Sequence, residues 1–150
     1  MSLAMSRAER EAFLADTHVA VISVADAGRG PLTVPIWYAY EPGGDVRFVT
    51  SGTSKKAALI RQAGRLSLCV QTEIPPYRYV TVEGAATIGE PDFERDIRQV
   101  AHRYLGREMG EMYLQMTADE RAQTATVLVR VKPERWLTVD YGKMVATASA

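Results

Sequence analysis

Val49-Thr50-Ser51-Gly52-Thr53-Ser54-Lys55-Lys56 takes an apolar, strand-like segment into small hydroxyl residues and then into a helix start carrying two lysines. Ser54 is placed to cap the helix Lys55-Lys56-Ala57-Ala58-Leu59-Ile60-Arg61. Gly52 permits a tight turn ahead of it. A capped helix N-terminus presents free N–H groups, and lysines beside it add full positive charge. The segment therefore suits an anion, and phosphate best. A capped surface helix with solvated lysines has the same local pattern, so its surroundings must separate the two readings.

Working outward, the flanking sequence is rich in strands. Val46-Arg47-Phe48-Val49 alternates as a strand, and Glu41-Pro42-Gly43-Gly44-Asp45 before it is a hairpin turn. Leu32 to Tyr40 reads as the preceding strand, with Pro35 marking an edge or a bulge. Val19–Val24, Arg65–Gln71, Arg78–Ile88, Thr126–Lys132 and Arg135–Tyr141 complete the strand set, and Gly84 marks a bulge or bend in the long one. Ser6 with Glu9 forms a capping-box pattern for a helix over Arg7–Ala15, with Ala8, Ala12 and Phe13 on its inner side. Between Pro91 and Ala122, Phe93, Ile97, Val100, Ala101 and Tyr104 recur at helical spacing. Met109, Met112, Tyr113 and Met116 follow as a second stripe, expected to be core. Thr117 with Glu120 suggests one more capped helix. Turn signals about every ten residues, with helices inserted, predict a mainly β antiparallel barrel with helices outside and Pro91–Ala122 as a long crossover.

The composition limits the functions available. At 150 residues the chain fits one domain, here 6–142, with 1–5 reading as a tag or disordered start and 143–150 as a loose tail. Eighteen basic and eighteen acidic residues cancel, and no long basic run argues for nucleic acid. The single cysteine, Cys69, allows no internal disulfide and fits a cytoplasmic setting, and His18 and His102 lack metal-ligand spacing. No apolar run approaches the roughly 18 residues of a membrane span.

Nucleophilic chemistry has little support: Cys69 has no histidine near it in sequence, and no serine lies in a nucleophile elbow. Asp92, Glu94 and Asp96 are expected on the outer face of a helix. No catalytic side chain is identified. The basic residues Lys55, Lys56, Arg61 and Arg78 stand out, because they would converge on one phosphate if the third and fifth strands end at the same barrel mouth. Otherwise Arg61 and Arg78 are solvated, or paired with Glu73 and Glu83. Trp37 and Tyr38 lie on opposite faces of their strand, so one enters the core and the other can pack on a planar ring, and on the residues alone Trp37 is expected in the core.

Two motifs carry a resemblance over roughly Ala8 to Tyr141. Thr50-Ser51-Gly52-Thr53-Ser54-Lys55-Lys56 is similar to the T-N-x-x-S-[RK]-K phosphate loop of the flavin-binding split-barrel family. Arg78-Tyr79-Val80-Thr81-Val82-Glu83-Gly84 is similar to that family's R-Q-V-x-V-E-G strand. The family includes the pyridoxamine 5′-phosphate oxidases and the deazaflavin-dependent reductases of actinobacteria. The resemblance implies a homodimer of six- to seven-stranded antiparallel split barrels with the cofactor between subunits. It places Thr50, Ser51, Ser54, Lys55 and Lys56 on the cofactor's phosphate and ribityl chain, with Arg61 in support. Arg78 would contact the cofactor, with either subunit as its source, and Pro35, Ile36 and Trp37 would flank the ring.

The departures bear on activity. The oxidases carry R-x-V-L-L-K on the second strand where this chain has Val34-Pro35-Ile36-Trp37-Tyr38-Ala39. They also end in an R-x-H-type motif, and here no histidine follows His102. Vitamin B6 oxidation is thereby disfavoured. The Pro-Pro-Tyr-Arg-Tyr loop and the double lysine look more like the reductase branch, which uses the deazaflavin coenzyme F420, with FMN as the alternative. The implied activity is hydride transfer between that cofactor and a planar conjugated small molecule. The competing reading is a non-catalytic flavin- or haem-binding storage protein, for which His18 or His102 would be the axial ligand.

Overall fold

The computed structural model describes residues 2–149, and side chains as far as residue 146. Ser6 caps α1 (Arg7–Ala15) in a complete capping box with Glu9. The strands are β1 (Ala20–Val24), β2 (Leu32–Ile36), β3 (Val46–Ser51), β4 (Arg65–Gln71), β5 (Arg78–Gly89), β6 (Thr126–Val131) and β7 (Arg135–Asp140). α2 (Lys55–Ala63) joins β3 to β4 and ends at Gly64, whose φ of 68° is the left-handed cap that glycine allows. A π-helical segment, Phe93–Arg98, leads into α3 (Gln99–Leu105), α4 (Arg107–Met116) and α5 (Ala118–Thr124), which together make the crossover from β5 to β6.

All ladders are antiparallel, in the order β2-β1-β4-β5-β6-β3, with β7 paired to β5. The fold is the mainly β split barrel that the sequence predicts. β5 changes partners partway along. Its first half, Arg78–Glu83, pairs with β7, whereas Ala86–Gly89 pairs with β6. Gly84 stands at that crossing, where a Cβ would lie 1.7 Å from the Lys132 carbonyl oxygen. The close approach, rather than an extra residue in the ladder, explains the glycine.

The curled sheet encloses Ile22, Val24, Phe48, Leu68, Val70, Val80, Val82, Val129 and Val131, with Leu14 of α1 plugging the interior. Each such side chain contributes on the order of 1.5–3 kcal/mol by leaving water. Tyr38 is fully buried, and its hydroxyl donates to the Leu14 carbonyl at 2.6 Å. The core face of α1 is Phe13 and Leu14, and the expected Ala8 and Ala12 are exposed.

Several local readings change in three dimensions. Met109, Met112 and Met116 are 61%, 56% and 81% exposed, so the methionine stripe is not core. α4 instead buries Gly110 and Leu114 against its neighbours. Thr117 does not cap α5: its hydroxyl donates back to the Tyr113 carbonyl. Asp96 is 2% exposed and not on an outer face. The π-helical segment holds more residues per turn than an α-helix and rotates the face that follows, turning Asp96 inward.

Residues ahead of α1 lie along β7: the Asp140 N–H donates to the Leu3 carbonyl and the Met5 N–H to Thr138 Oγ1. The stretch that reads as a loose tail is α6 (Gly142–Ser149). Met1 and Ala150, at the ends of those two stretches, lie outside the described residues.

Candidate functional site

β2 and β3 are the two open edges of the curled sheet, and among the described residues the only bridge between the segment that follows β2 and β3 is the one between Ala39 and Arg47. Continued in that register, the hairpin would set Trp37 opposite Val49, Ile36 opposite Thr50 and Pro35 opposite Ser51. The edges diverge instead. Pro35 has no N–H to offer on that edge. On the other side of the same segment, where the β1–β2 register would continue to His18 opposite Tyr38, the Tyr38 N–H donates to the Tyr104 hydroxyl at 3.1 Å. The Tyr104 hydroxyl in turn donates to the His18 carbonyl at 2.6 Å.

A cavity of about 280 Å³ occupies this seam. Its barrel wall is Pro35, Ile36, Trp37, Val49, Thr50, Ser51 and Lys56, and its other wall comes from the helical crossover and the start of β6. Trp37 is half-buried there. It stacks on Tyr104 with centroids 5.0 Å apart and planes within 5°, and tilts against Tyr113 at 5.3 Å. Of the adjacent pair, Tyr38 is therefore the core residue, and Trp37, expected in the core, instead faces a ligand-sized space.

The loop after β3 is built to hold donors in place. Ser54 Oγ accepts from the Ala57 N–H at 3.1 Å and donates to the Ser51 carbonyl at 2.7 Å. That leaves the Lys55 and Lys56 N–H groups, in the first turn of α2, without an intrahelical acceptor. Gly52 packs directly on the end of the crossover: a Cβ would lie 2.4 Å from the Ala125 carbonyl oxygen. Its φ is not in the left-handed region, so close approach, not a tight turn, requires the glycine. Arg61 donates to the Gly52 carbonyl at 2.9 Å and buttresses the loop from behind.

The predicted basic residues separate. Lys56 borders the seam cavity, half-buried, with no ion pair among the described residues, and burial lowers its pKa from the ordinary 10.5. Lys55 turns away to Asp26 at 3.1 Å. Arg78 does not reach this mouth within its own chain. Leu128 pairs with both Val49 and Gly89, so β3 and the far end of β5 are level. Arg78 is eleven residues back along β5, about 36 Å at strand rise. It lies over the Phe13 ring at 5.0 Å and lines a second cavity of about 630 Å³ with His18, Thr72 and Asp140. It does not pair with Glu73 or Glu83, and Glu83 pairs with Arg135.

Cavity-lining residues that the sequence analysis did not assign to the site come from the crossover: Ile97, Val100, Tyr113, Thr117, Arg121, Thr124 and the buried Asp96. Only their burial pattern hints at them, because they join the seam through long-range packing. Asp96 accepts from Arg95 Nε at 2.9 Å and from the Asp92 N–H at 2.8 Å, and sits 3.5 Å from Arg47 Nε. Burial works to raise its pKa, but these partners outweigh it and hold the carboxyl below its usual value. It ties the crossover to β3 as an anion already neutralised.

The donor set fits a phosphate-bearing cofactor with a flat ring: free first-turn N–H groups, Ser and Thr hydroxyls, a half-buried ammonium without an ion pair among the described residues, and an aromatic wall. No histidine, cysteine or carboxylate cluster that could hold a metal exists among the described residues. His18 Nε2 is bound to the Phe13 carbonyl, and His102 Nε2 to Glu111. No described helix is long and apolar enough to cross a membrane.

Known proteins share this fold. The F420H(2)-dependent biliverdin reductase of Mycobacterium tuberculosis (strain CDC 1551 / Oshkosh) is 28% identical over 127 residues, 84% of this chain and 82% of that protein. The crystal structure of the conserved hypothetical protein Rv2991 from Mycobacterium tuberculosis superposes with a TM-score of 0.77 at 25% identity, covering 95% of this chain and 89% of that one. A solved F420 reductase shares the fold at a TM-score of 0.59 and 19% identity, over 85% and 94% of the two chains. The family model for pyridoxamine 5′-phosphate oxidase matches residues 6–140, from the cap of α1 to the last residue of β7. With the split between β2 and β3 and the Ser54-capped loop both in place, the chain belongs to the pyridoxamine 5′-phosphate oxidase family of split barrels.

Proposed function

We propose that the protein is an oxidoreductase that holds a deazaflavin, coenzyme F420, in the seam between β2 and β3 and passes hydride to a planar conjugated acceptor. The observation that carries this is the convergence on one cavity of an unpaired, half-buried Lys56 and an aromatic wall of Trp37 and Tyr113. The similarity to the biliverdin reductase supports a linear tetrapyrrole as the kind of acceptor and F420 ahead of FMN.

The cofactor, when bound, supplies the hydride chemistry, and the chain's residues bind, orient and exclude water. Lys56, Thr50, Ser51 and the free N–H groups of α2 hold the phosphate end. Ser54 and Arg61 keep that loop in shape. Lys55, released from Asp26, adds a second charge at the mouth. Pro35, Ile36 and Trp37 set the plane of the ring. No side chain needs to act as a nucleophile.

The working unit is a homodimer. Pro35, Val21, Cys69, Thr81 and Leu137 are register neighbours across β2, β1, β4, β5 and β7, and they form an outward row. Val21 and Leu137 are 41% and 59% exposed. The row starts at Pro35, on the seam cavity, so a second copy seated on it would wall that cavity and bring its own Arg78 into play.

Parallel fluorescence titration of the purified protein with F420 and with FMN tests the reading. Tight F420 binding with weak FMN binding is expected. Failure to bind either removes the seam as a cofactor site.

A further inference from the structure

Besides Lys56, the seam cavity is bordered by one other cation without an ion pair among the described residues, Arg121 of α5. Its guanidinium is held by neutral groups only. One nitrogen donates to Thr117 Oγ1, and another donates to the Leu114 carbonyl at 2.8 Å. The Phe93 ring lies beside it at 5.7 Å. These contacts use two of its five N–H donors and fix the plane of the fork. The buried carboxylate in the same cavity, Asp96, is already committed to Arg95 and Arg47. Glu120 is exposed at the rim and forms no ion pair with Arg121.

The two cations come from different parts of the fold. Lys56 belongs to the barrel and sits with the loop hydroxyls. Arg121 belongs to the crossover and sits with Tyr113 and Thr117, on the wall facing the barrel. A planar guanidinium pinned at two points matches a carboxylate in a bidentate manner, which a flexible ammonium does not.

We infer that Arg121 is a specificity-determining residue that binds a carboxylate of the acceptor, so the substrate class is a flat conjugated molecule bearing carboxylate side chains. This rests on the reading of the seam as the cofactor and acceptor site. Lys56 takes the cofactor's phosphate, Trp37 and Tyr113 take the flat ring system, and Arg121 sets the acceptor's register.

Biliverdin, which carries two propionates, and its dimethyl ester are the probes. Binding is followed by quenching of tryptophan fluorescence, with and without F420, and needs no turnover. Wild type is expected to bind the free acid roughly tenfold or more tightly than the ester, with an affinity that falls as salt rises. Arg121→Gln is expected to erase that preference, leaving ester and F420 affinities within about twofold of wild type. Arg121→Lys keeps part of the preference and serves, with the wild-type acid-to-ester ratio, if the glutamine variant folds poorly.

Equal binding of acid and ester by wild type overturns the inference. So does an Arg121→Gln change that weakens F420 while the acid-to-ester ratio persists, since Arg121 would then serve the cofactor. If F420 fails to bind but the acid preference remains and depends on Arg121, the inference stands and the cofactor reading falls.

Discussion

Ala39 and Arg47 exchange two backbone hydrogen bonds, of 2.8 and 2.9 Å, and no further pair among the described residues closes the seam between β2 and β3. The barrel is held shut at one point and is open beside it. Arg47 continues the restraint with its side chain, which donates to Glu41 at 2.6 Å and lies against Asp96 of the crossover. One residue thus links the closed end of the hairpin to the helices that cover the open end.

That link can be broken at Asp96. Asp96→Asn leaves the buried Arg47 and the adjacent Arg95 with a neutral partner, and a loss of about 2–4 kcal/mol in urea unfolding is expected. Glu41 remains on Arg47 and keeps the loss from the upper end of the range for buried pairs. The Asp96 carboxyl is held below its usual 3.8 in the fold, so its stabilisation is complete above that pH and lost as pH falls through the lowered value. The variant should therefore show a shallower acid limb than wild type. Parallel acid limbs in the two proteins would remove Asp96 as the cause.

Lys56 is expected to set the pH response of cofactor binding. Burial lowers its pKa from 10.5, so the folded protein sheds this proton earlier than the unfolded chain, and stability contributed by this group rises with pH in the alkaline range. Affinity for a phosphate-bearing cofactor runs the other way and should fall on the alkaline side before the ordinary lysine range. Lys56→Arg should push that fall to higher pH. Lys56→Ala should weaken the cofactor by about 1.5–3 kcal/mol in the same titration. Unchanged affinity in the alanine variant would falsify the phosphate role.

Gly52 offers a test of geometry alone. Gly52→Ala places a methyl group 2.4 Å from the Ala125 carbonyl oxygen and forces the loop off the crossover. A loss of roughly 1–3 kcal/mol in stability is expected, with a drop in cofactor affinity although no donor is removed. Thermal melts and the fluorescence titration read the two effects separately.

Tyr104 bridges Tyr38 and His18 where the β1–β2 ladder ends. Tyr104→Phe keeps the stack on Trp37 but strips the partner from the Tyr38 N–H and from the His18 carbonyl. About 1–3 kcal/mol of destabilisation is expected from the unsatisfied groups. Hydrogen exchange should locate the loss at the Tyr38 amide.

Arg78 distinguishes one chain from two. It is a dozen residues of strand away from Lys56 in its own chain, so Arg78→Ala should weaken the cofactor only if a partner copy supplies that arginine. Mixed dimers of the Lys56→Ala and Arg78→Ala chains should then regain tight sites, one per mixed dimer, by titration. Mixtures that bind no better than either parent count against a shared site.

The chain's local chemistry was enough to place most of the fold. Strand alternation, hairpin turns, the Ser6–Glu9 box and the Ser54 and Gly64 caps are contacts between neighbours in sequence, and each forms as the residue pattern dictates. The loop from Thr50 to Lys56 was legible for the same reason. What depended on tertiary structure was the sorting of the basic residues, with Lys56 at the seam, Lys55 on Asp26, Arg61 behind the loop and Arg78 at the far mouth. That sorting follows from β3 and β5 running the same way beside β6, a non-local pairing with no trace in spacing. The crossover's share of the site, Tyr113, Asp96 and Arg121, was hidden in the same way. A π-helical turn rotated one face, and packing of α4 and α5 chose another, so helical periodicity counted at 3.6 residues pointed Asp96 outward and the methionines inward. Sequence determined which elements form, because their bonds close within a few residues. The tertiary structure alone decided which side chains share the cavity, because that depends on where distant strands fall level.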